Sequence, residues 1–239
     1  MAVDPRVFVL LALLLQDSRG SRPAPAQAPA SRPLLVFPKD ATPLPGWLKQ
    51  HGLQSKRDAP DRFTVGDGSL HLVSDQDSVL LATEQGFPVE LAQWPRLRLR
   101  VRIDQLPQNA DLRQTKGDDA AFRVYVAFDR GGGLLSPSNT IAYTWTGDVP
   151  VDTVIQSAHY KTLQYLSVGM GVTAGKAGPE WVTIERDLAA DYRRAFPTDR
   201  KPVPALRGVA IKCDSNDTKS KAEAWLSALE LLAPAPAKR

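Results

Sequence analysis

One cysteine, Cys213, stands among 239 residues, which excludes an internal disulfide framework and any cysteine-built zinc cluster. Charge of one sign is also lacking. Thirty Lys and Arg face 26 Asp and Glu, a net +4 spread along the chain, too mild and too even to argue a nucleic-acid partner. The familiar catalytic signatures are missing: no G-x-S-x-G elbow, no P-loop, no H-E-x-x-H pair and no G-x-G-x-x-G behind a strand. Residues 131–133 are three glycines with no helix signal after them, so a phosphate cradle is not expected there. His51, His71 and His159 are dispersed without ligand spacing. Cys213 ends an apolar strand pattern and reads as a small buried hydrophobe. No internal repeat and no long linker divides the chain.

What is present begins with residues 7–15 (VFVLLALLL), an apolar run of nine. A bilayer span needs about 20 such residues; nine suit the core of a signal peptide. Arg6 precedes the run, and Ala24-Pro25-Ala26 places small residues where a signal peptidase reads. The expectation is a signal peptide over residues 1–26 and export to the periplasm or beyond, with no transmembrane segment after cleavage. A mature chain starting near Gln27 carries 27 basic and 24 acidic residues. Residues 27–33 and 233–239 read as a Pro/Ala-rich linker and tail, leaving one domain over 34–232.

That domain reads as strands. In residues 96–103 (RLRLRVRI), Leu97, Leu99, Val101 and Ile103 alternate with four arginines, a period of two. Residues 120–128 (AAFRVYVAF) place Phe122, Val124, Val126 and Phe128 on one face and Ala121, Arg123, Tyr125 and Ala127 on the other. Further strands are expected at 34–37, 69–73, 79–83, 140–145, 163–168, 181–185 and 208–213. Gly, Pro, Asp and Asn between them suit antiparallel sheets. The fold class is all-β, a two-sheet antiparallel β-sandwich with one short helix over 188–196, capped by Asp187 and stopped by Pro197. Residues 222–232 (AEAWLSALELL) have helical propensity, with Trp225, Leu229 and Leu232 on one helical face.

Four groups of residues could carry chemistry. Arg96, Arg98, Arg100 and Arg102 project from one strand face over about 20 Å. They either line a cleft for an acidic polymer, with Arg98 and Arg100 as contacts, or face carboxylates on neighbouring strands. Counting by twos puts Asp119 with Arg123 and Tyr125, and Asp118 at the mouth of the core face. An Asp–Arg–Tyr group there suits a sugar held by charged hydrogen bonds and a stacking ring; a turn with a structural ion pair accounts for it equally. Tyr143 and Trp145 are further candidate sugar contacts. Asp214-Ser215-Asn216-Asp217-Thr218 gathers side-chain oxygens, so Asp214 and Asp217 are candidate Ca²⁺ ligands, although Asx-turn chemistry alone explains them.

Residues 117–128 (GDDAAFRVYVAF), Tyr143-Thr144-Trp145, Arg186-Asp187 with residues 191–196 (DYRRAF), and residues 214–218 (DSNDT) occur in that order. Together they resemble the bacterial domain-of-unknown-function family 3047, from about Trp47 to Leu232. The resemblance implies an exported protein with a jelly-roll β-sandwich similar to carbohydrate-binding modules, and no established activity. It also favours strand over helix for residues 222–231. The function expected is non-catalytic binding of an envelope polysaccharide, acidic or neutral. The alternatives are a carbohydrate-active lyase or hydrolase, pairing Asp118 or Asp119 with Asp217 or Glu223, and an envelope scaffold.

Overall fold

The computed structural model describes residues 30–55, 62–84, 86, 88–130, 138–172, 174–175 and 178–235. The expected signal peptide and the three-glycine loop lie outside the described residues, as does the end of the tail.

Two sheets form the sandwich expected from the sequence. The first contains β1 (Ser31–Leu35), β3 (Phe63–Gly66), β4 (Ser69–Asp75), β6 (Arg96–Gln105), β13 (Val182–Asp187) and β15 (Lys221–Leu232), in the order β13-β6-β15-β4-β3. β1 pairs with the later half of β15, beyond the end of β4. The second contains β2 (Leu53–Ser55), β5 (Ser78–Thr83), β7 (Ala120–Phe128), β8 (Asn139–Thr146), β9 (Val154–Gln156), β10 (Leu163–Met170) and β14 (Leu206–Asp214), in the order β2-β5-β14-β7-β8-β10-β9. A two-residue pair, β11 (Ala174–Gly175) and β12 (Gly178–Pro179), stands apart.

Alternation dictates what each sheet buries. Leu97, Leu99, Val101 and Ile103 of β6 meet Phe122, Val124, Val126 and Phe128 of β7 in one continuous core with no solvent exposure at any of the eight. Each such side chain contributes about 1.5–3 kcal/mol by leaving water. The arginines of β6 are thereby left on the outer face of the first sheet.

Segment 222–232 is a strand, against its local propensity. β15 lies between β6 and β4 and pairs with both, so the ladder and its burial outweigh a weak helix preference. Its helix-like spacing has a structural origin. A register shift between Leu226 and Ala228 lets Ala222, Ala224, Leu226, Leu229 and Leu231 all reach the core, and the bulge supplies the three-residue step.

The expectations need three corrections. There are two helices among the described residues. α2 (Leu188–Ala195) is the expected one, with Asp187 accepting from the Ala190 amide at 2.9 Å. α1 (Leu44–Gln50) was not expected; it contains Pro45 and Gly46, the two weakest helix formers. Leu44, Trp47 and Leu48 nevertheless bury one face, and the Trp47 indole donates to the Val36 carbonyl at 2.8 Å. Second, the pairing is not wholly antiparallel, since β8 and β10 run parallel. Third, residues 31–33, expected as linker, pair with Leu232, Leu231 and Glu230.

The parallel pair shapes the outer face of the second sheet. Residues 147–162 join β8 to β10 and include β9, which pairs with β10 at the edge of the sheet. Val149 and Ile155 of this segment form a second apolar cluster with Leu112, Ala142, Leu163 and Tyr165. The strands β5, β14 and β7 remain uncovered beside it.

Candidate functional site

A cavity of about 740 Å³ occupies the uncovered area, within the range of small-molecule sites, ~300–1,000 Å³. The floor is set by register. Ala82 of β5, Ala210 of β14, Tyr125 of β7 and Ala142 of β8 are successive cross-strand neighbours. One step along the strands, Leu80, Lys212, Arg123 and Thr144 form the next row. Small side chains in the middle of the sheet leave the space; Tyr125, Ala127 and Leu80 are half-buried within it. His159 and the 67% exposed Tyr160 stand on the wall formed by residues 147–162.

The polar end is built around Arg123, a guanidinium with no solvent exposure. Its Nη2 donates to Asp118 Oδ1 at 2.6 Å, and Nη1 lies 3.5 Å from Asp214 Oδ2. The Tyr165 ring packs beneath it at 4.8 Å, and the Tyr165 hydroxyl donates to Asp118 Oδ2 at 2.5 Å. Asp214 accepts from the Ala120 amide at 3.1 Å and pairs with Lys212. His159 Nε2 stands 3.7 Å from Asp118 Oδ2. Burial alone would lower the Arg123 pKa; the Asp214 and Asp118 carboxylates override it and raise the pKa well above the ordinary arginine value. Arg123 is therefore a fixed cation. Its Nε and Nη1 have no hydrogen-bond partner.

Of the residues expected to bind ligand or metal, Asp118, Arg123, Tyr125, Asp214 and Asp217 line this one cavity. The others are elsewhere. Asp119 faces the opposite way from Arg123, with its carboxylate accepting from Thr218 N at 2.7 Å, Thr218 Oγ1 at 2.8 Å and Asp217 N at 3.3 Å. It ties down the turn after β14. Counting by twos fails here because β7 has a register shift opposite Lys212 and Asp214. Ala121 and Phe122 both enter the core, which reverses the parity upstream. Tyr143 is fully buried in the core and donates to Asp191 Oδ2 at 3.1 Å. Trp145 packs into the same core, and its indole donates to the Gly171 carbonyl.

Arg98 and Arg100 lie on the outer face of the other sheet. Arg98 is held between Glu185 at 2.8 Å and Glu230 at 2.9 Å. Arg100 stacks on the Trp181 ring at 4.8 Å and donates to Ser227 Oγ at 3.1 Å. Arg96 pairs with Glu185 and Arg102 with Asp104. Neighbouring side chains thus engage the whole stripe. Glu223, on that face too, accepts from His71 at 2.7 Å, so it cannot join Asp118 or Asp119 as an acid/base pair.

The Asp214–Asp217 turn does not fit Ca²⁺. Asp214 is already neutralised by Lys212 and Arg123, two cations that would repel a third. Asp217 Oδ1 accepts from Asn216 at 3.0 Å. Among the described residues, no three His, Cys, Asp or Glu side chains converge as metal ligands do.

The model of a family of proteins of unknown function, DUF3047, matches residues 45–230, which span both sheets and every charged group of the cavity. The chain belongs to this family. Among solved structures, the DUF3047 chain is similar to the Emp47p carbohydrate recognition domain. The two are 12% identical with a TM-score of 0.43, over 85% of this chain and 96% of that one. No curated protein matches it.

In this DUF3047 protein, sequence reasoning missed Lys212, Tyr165, His159 and Tyr160. Lys212 was within reach of alternation: Val209, Ile211 and Cys213 point into the core, which leaves Ala210, Lys212 and Asp214 on the cavity face. Tyr165 stands on β10 beside Ala142 of β8, a parallel pairing, and His159 and Tyr160 come from the crossover of residues 147–162; local sequence carries no signal for either. Among the described residues no helix is long and apolar enough to cross a membrane.

Proposed function

We propose that the protein is exported to the periplasm or beyond and binds a glycan, without acting on it, in the cavity over β5, β14 and β7. The observation that carries the reading is the pairing, on one floor, of the half-exposed Tyr125 ring with the charged corner of Arg123, Lys212, Asp118 and Asp214. A sugar presents both an apolar ring face and a fringe of hydroxyls, and an aromatic surface beside fixed hydrogen-bonding groups matches both. Residues 1–26 support export by their pattern. The occupied carboxylates argue against turnover. Both oxygens of Asp118 and of Asp214 already accept hydrogen bonds, which leaves neither poised as a general acid.

Filling the floor tests the reading. Wild-type protein and Ala210→Phe are screened against neutral and acidic oligosaccharides by calorimetry. Binding by the wild type, lost in Ala210→Phe with the melting temperature kept within a few degrees, is the expected result. Equal binding by both proteins places the site elsewhere, and no binding by the wild type to any oligosaccharide overturns the glycan reading.

A further inference from the structure

The charged corner of the cavity has its acceptors filled and its donors in surplus. Asp118 takes Arg123 on one oxygen and Tyr165 on the other. Asp214 takes the Ala120 amide on one and Lys212 on the other. On the donor side, Arg123 Nε and Nη1 are buried without a hydrogen bond. Lys212 carries three N–H donors, one of which goes to Asp214. His159 Nε2, at 3.7 Å from Asp118, is beyond hydrogen-bonding reach of it. Buried polar groups in proteins almost always find partners, so buried donors lacking one call for an acceptor from outside the chain. Those donors belong to a guanidinium and an ammonium, whose hydrogen bonds to a charged acceptor are stronger than to a neutral one.

We propose that the corner over Arg123, bounded by Lys212, His159 and Tyr125, takes the carboxylate of a uronate unit, the sugar ring lying over Tyr125, Ala210 and Ala82. This rests on the glycan reading above and narrows it to acidic sugars. Position supports it. Lys212 and Arg123 are cross-strand neighbours, and Ala210 and Tyr125 are the next such pair on the same face. The second pair lies about 7 Å farther along the strands; because a uronate carboxylate is bonded directly to its ring, a carboxylate at the first pair extends the ring toward the second. Apolar half-buried surface there and charge at the end reproduce the layout of a uronate: one charged group on one edge of a ring. A neutral hexose would leave the Arg123 and Lys212 donors with hydroxyl oxygens alone.

The test compares uronate trisaccharides (galacturonate, glucuronate, mannuronate) with the same trisaccharides after carboxyl reduction to primary alcohols. Calorimetry is run on wild type, Lys212→Met and Lys212→Arg. Expected for at least one trisaccharide is roughly tenfold or greater preference of the wild type for the acidic form, the scale of a charge-assisted hydrogen bond. The preference should collapse toward unity in Lys212→Met and return in Lys212→Arg. Equal wild-type affinity for the acidic and reduced forms overturns the carboxylate assignment and leaves the glycan reading standing. A preference that survives Lys212→Met in a folded protein overturns it as well. Absence of binding to both forms of all three trisaccharides overturns the carboxylate assignment; the glycan reading falls with it only when the wider oligosaccharide screen is empty too.

Discussion

Arg123 and Asp118 are five residues apart in the chain, yet Nη2 and Oδ1 meet at 2.6 Å. In one extended strand they would stand about 16 Å apart. The contact exists because Asp118 precedes the strand, in a turn closed by the Asp119 amide donating to the Gly117 carbonyl at 2.8 Å, and because β7 bulges just after it begins.

Removing that partner should be costly. Asp118→Asn leaves the buried guanidinium with Asp214 at 3.5 Å as its remaining carboxylate, and breaking a buried pair on one side costs about 3–5 kcal/mol. Urea unfolding measures the loss. A change below about 1 kcal/mol would mean that the pair contributes no net stability.

Asp119→Ala separates architecture from binding. Three hydrogen bonds holding the turn at Asp217 and Thr218 disappear, a loss of about 2 kcal/mol. Oligosaccharide affinity should stay within twofold, since the Asp119 carboxylate points away from the cavity. An affinity loss that outruns the stability loss would return Asp119 to the site.

Arg98→Ser should cost little. Arg98 bridges Glu185 and Glu230 on a partly exposed face, and such pairs are worth about 1 kcal/mol or less. The difference from wild type should shrink further as salt is added. Retention of glycan binding is the expected companion result; its loss would restore the arginine stripe as a ligand surface.

Gly169 allows the Trp145 ring to lie against the β10 backbone. A Cβ there would come within 2.3 Å of the indole. Gly169→Ala should cost about 1–3 kcal/mol through overpacking, with a shift in tryptophan emission as the ring moves. Unchanged emission and stability together would show that the backbone yields instead.

Alkaline stability should depend on Tyr192. Burial, then its hydrogen bond to Asp199, pushes its pKa up to about 12 from the ordinary 10.0. Below pH 10 the folded and unfolded chains both keep the proton and stability is full. Between about 10 and 12 the unfolded chain alone releases it, so stability falls as pH rises. Tyr192→Phe should flatten this slope, read as the denaturant midpoint from pH 9 to 12. Buried Tyr143, whose pKa is also raised, mainly by burial, keeps part of it. An unaltered slope would show that the Tyr192 hydroxyl is not held protonated.

Much of the sandwich is legible where alternation is strict. β6 and β7 carry the period-two pattern through most of their length, and the expected strands at 69–73, 79–83, 140–145, 163–168 and 208–213 are all found. The site was legible only in part, because two bulges break the parity on which the reading depends. Opposite Lys212 a bulge exchanges the roles of Asp118 and Asp119; after Leu226 another gives a strand the spacing of a helix. Tyr143 and Trp145 look like sugar contacts by residue type, but their faces belong to the core. His159 enters the cavity by a crossover that only the folded chain reveals.

The placement of β15 has a consequence for how the chain is made. The strand at the centre of the first sheet is contributed by residues 221–232, and its partners β4 and β6 were synthesised more than a hundred residues earlier. While the ribosome still holds the last of these residues, β4 and β6 face a gap where β15 belongs, and half of the core has no lid. Such long-range pairing is slow to form, and domains fold as units as they emerge. The first sheet therefore closes only once residues 221–232 have cleared the ribosome; until then β4 and β6 keep open edges on either side of the gap.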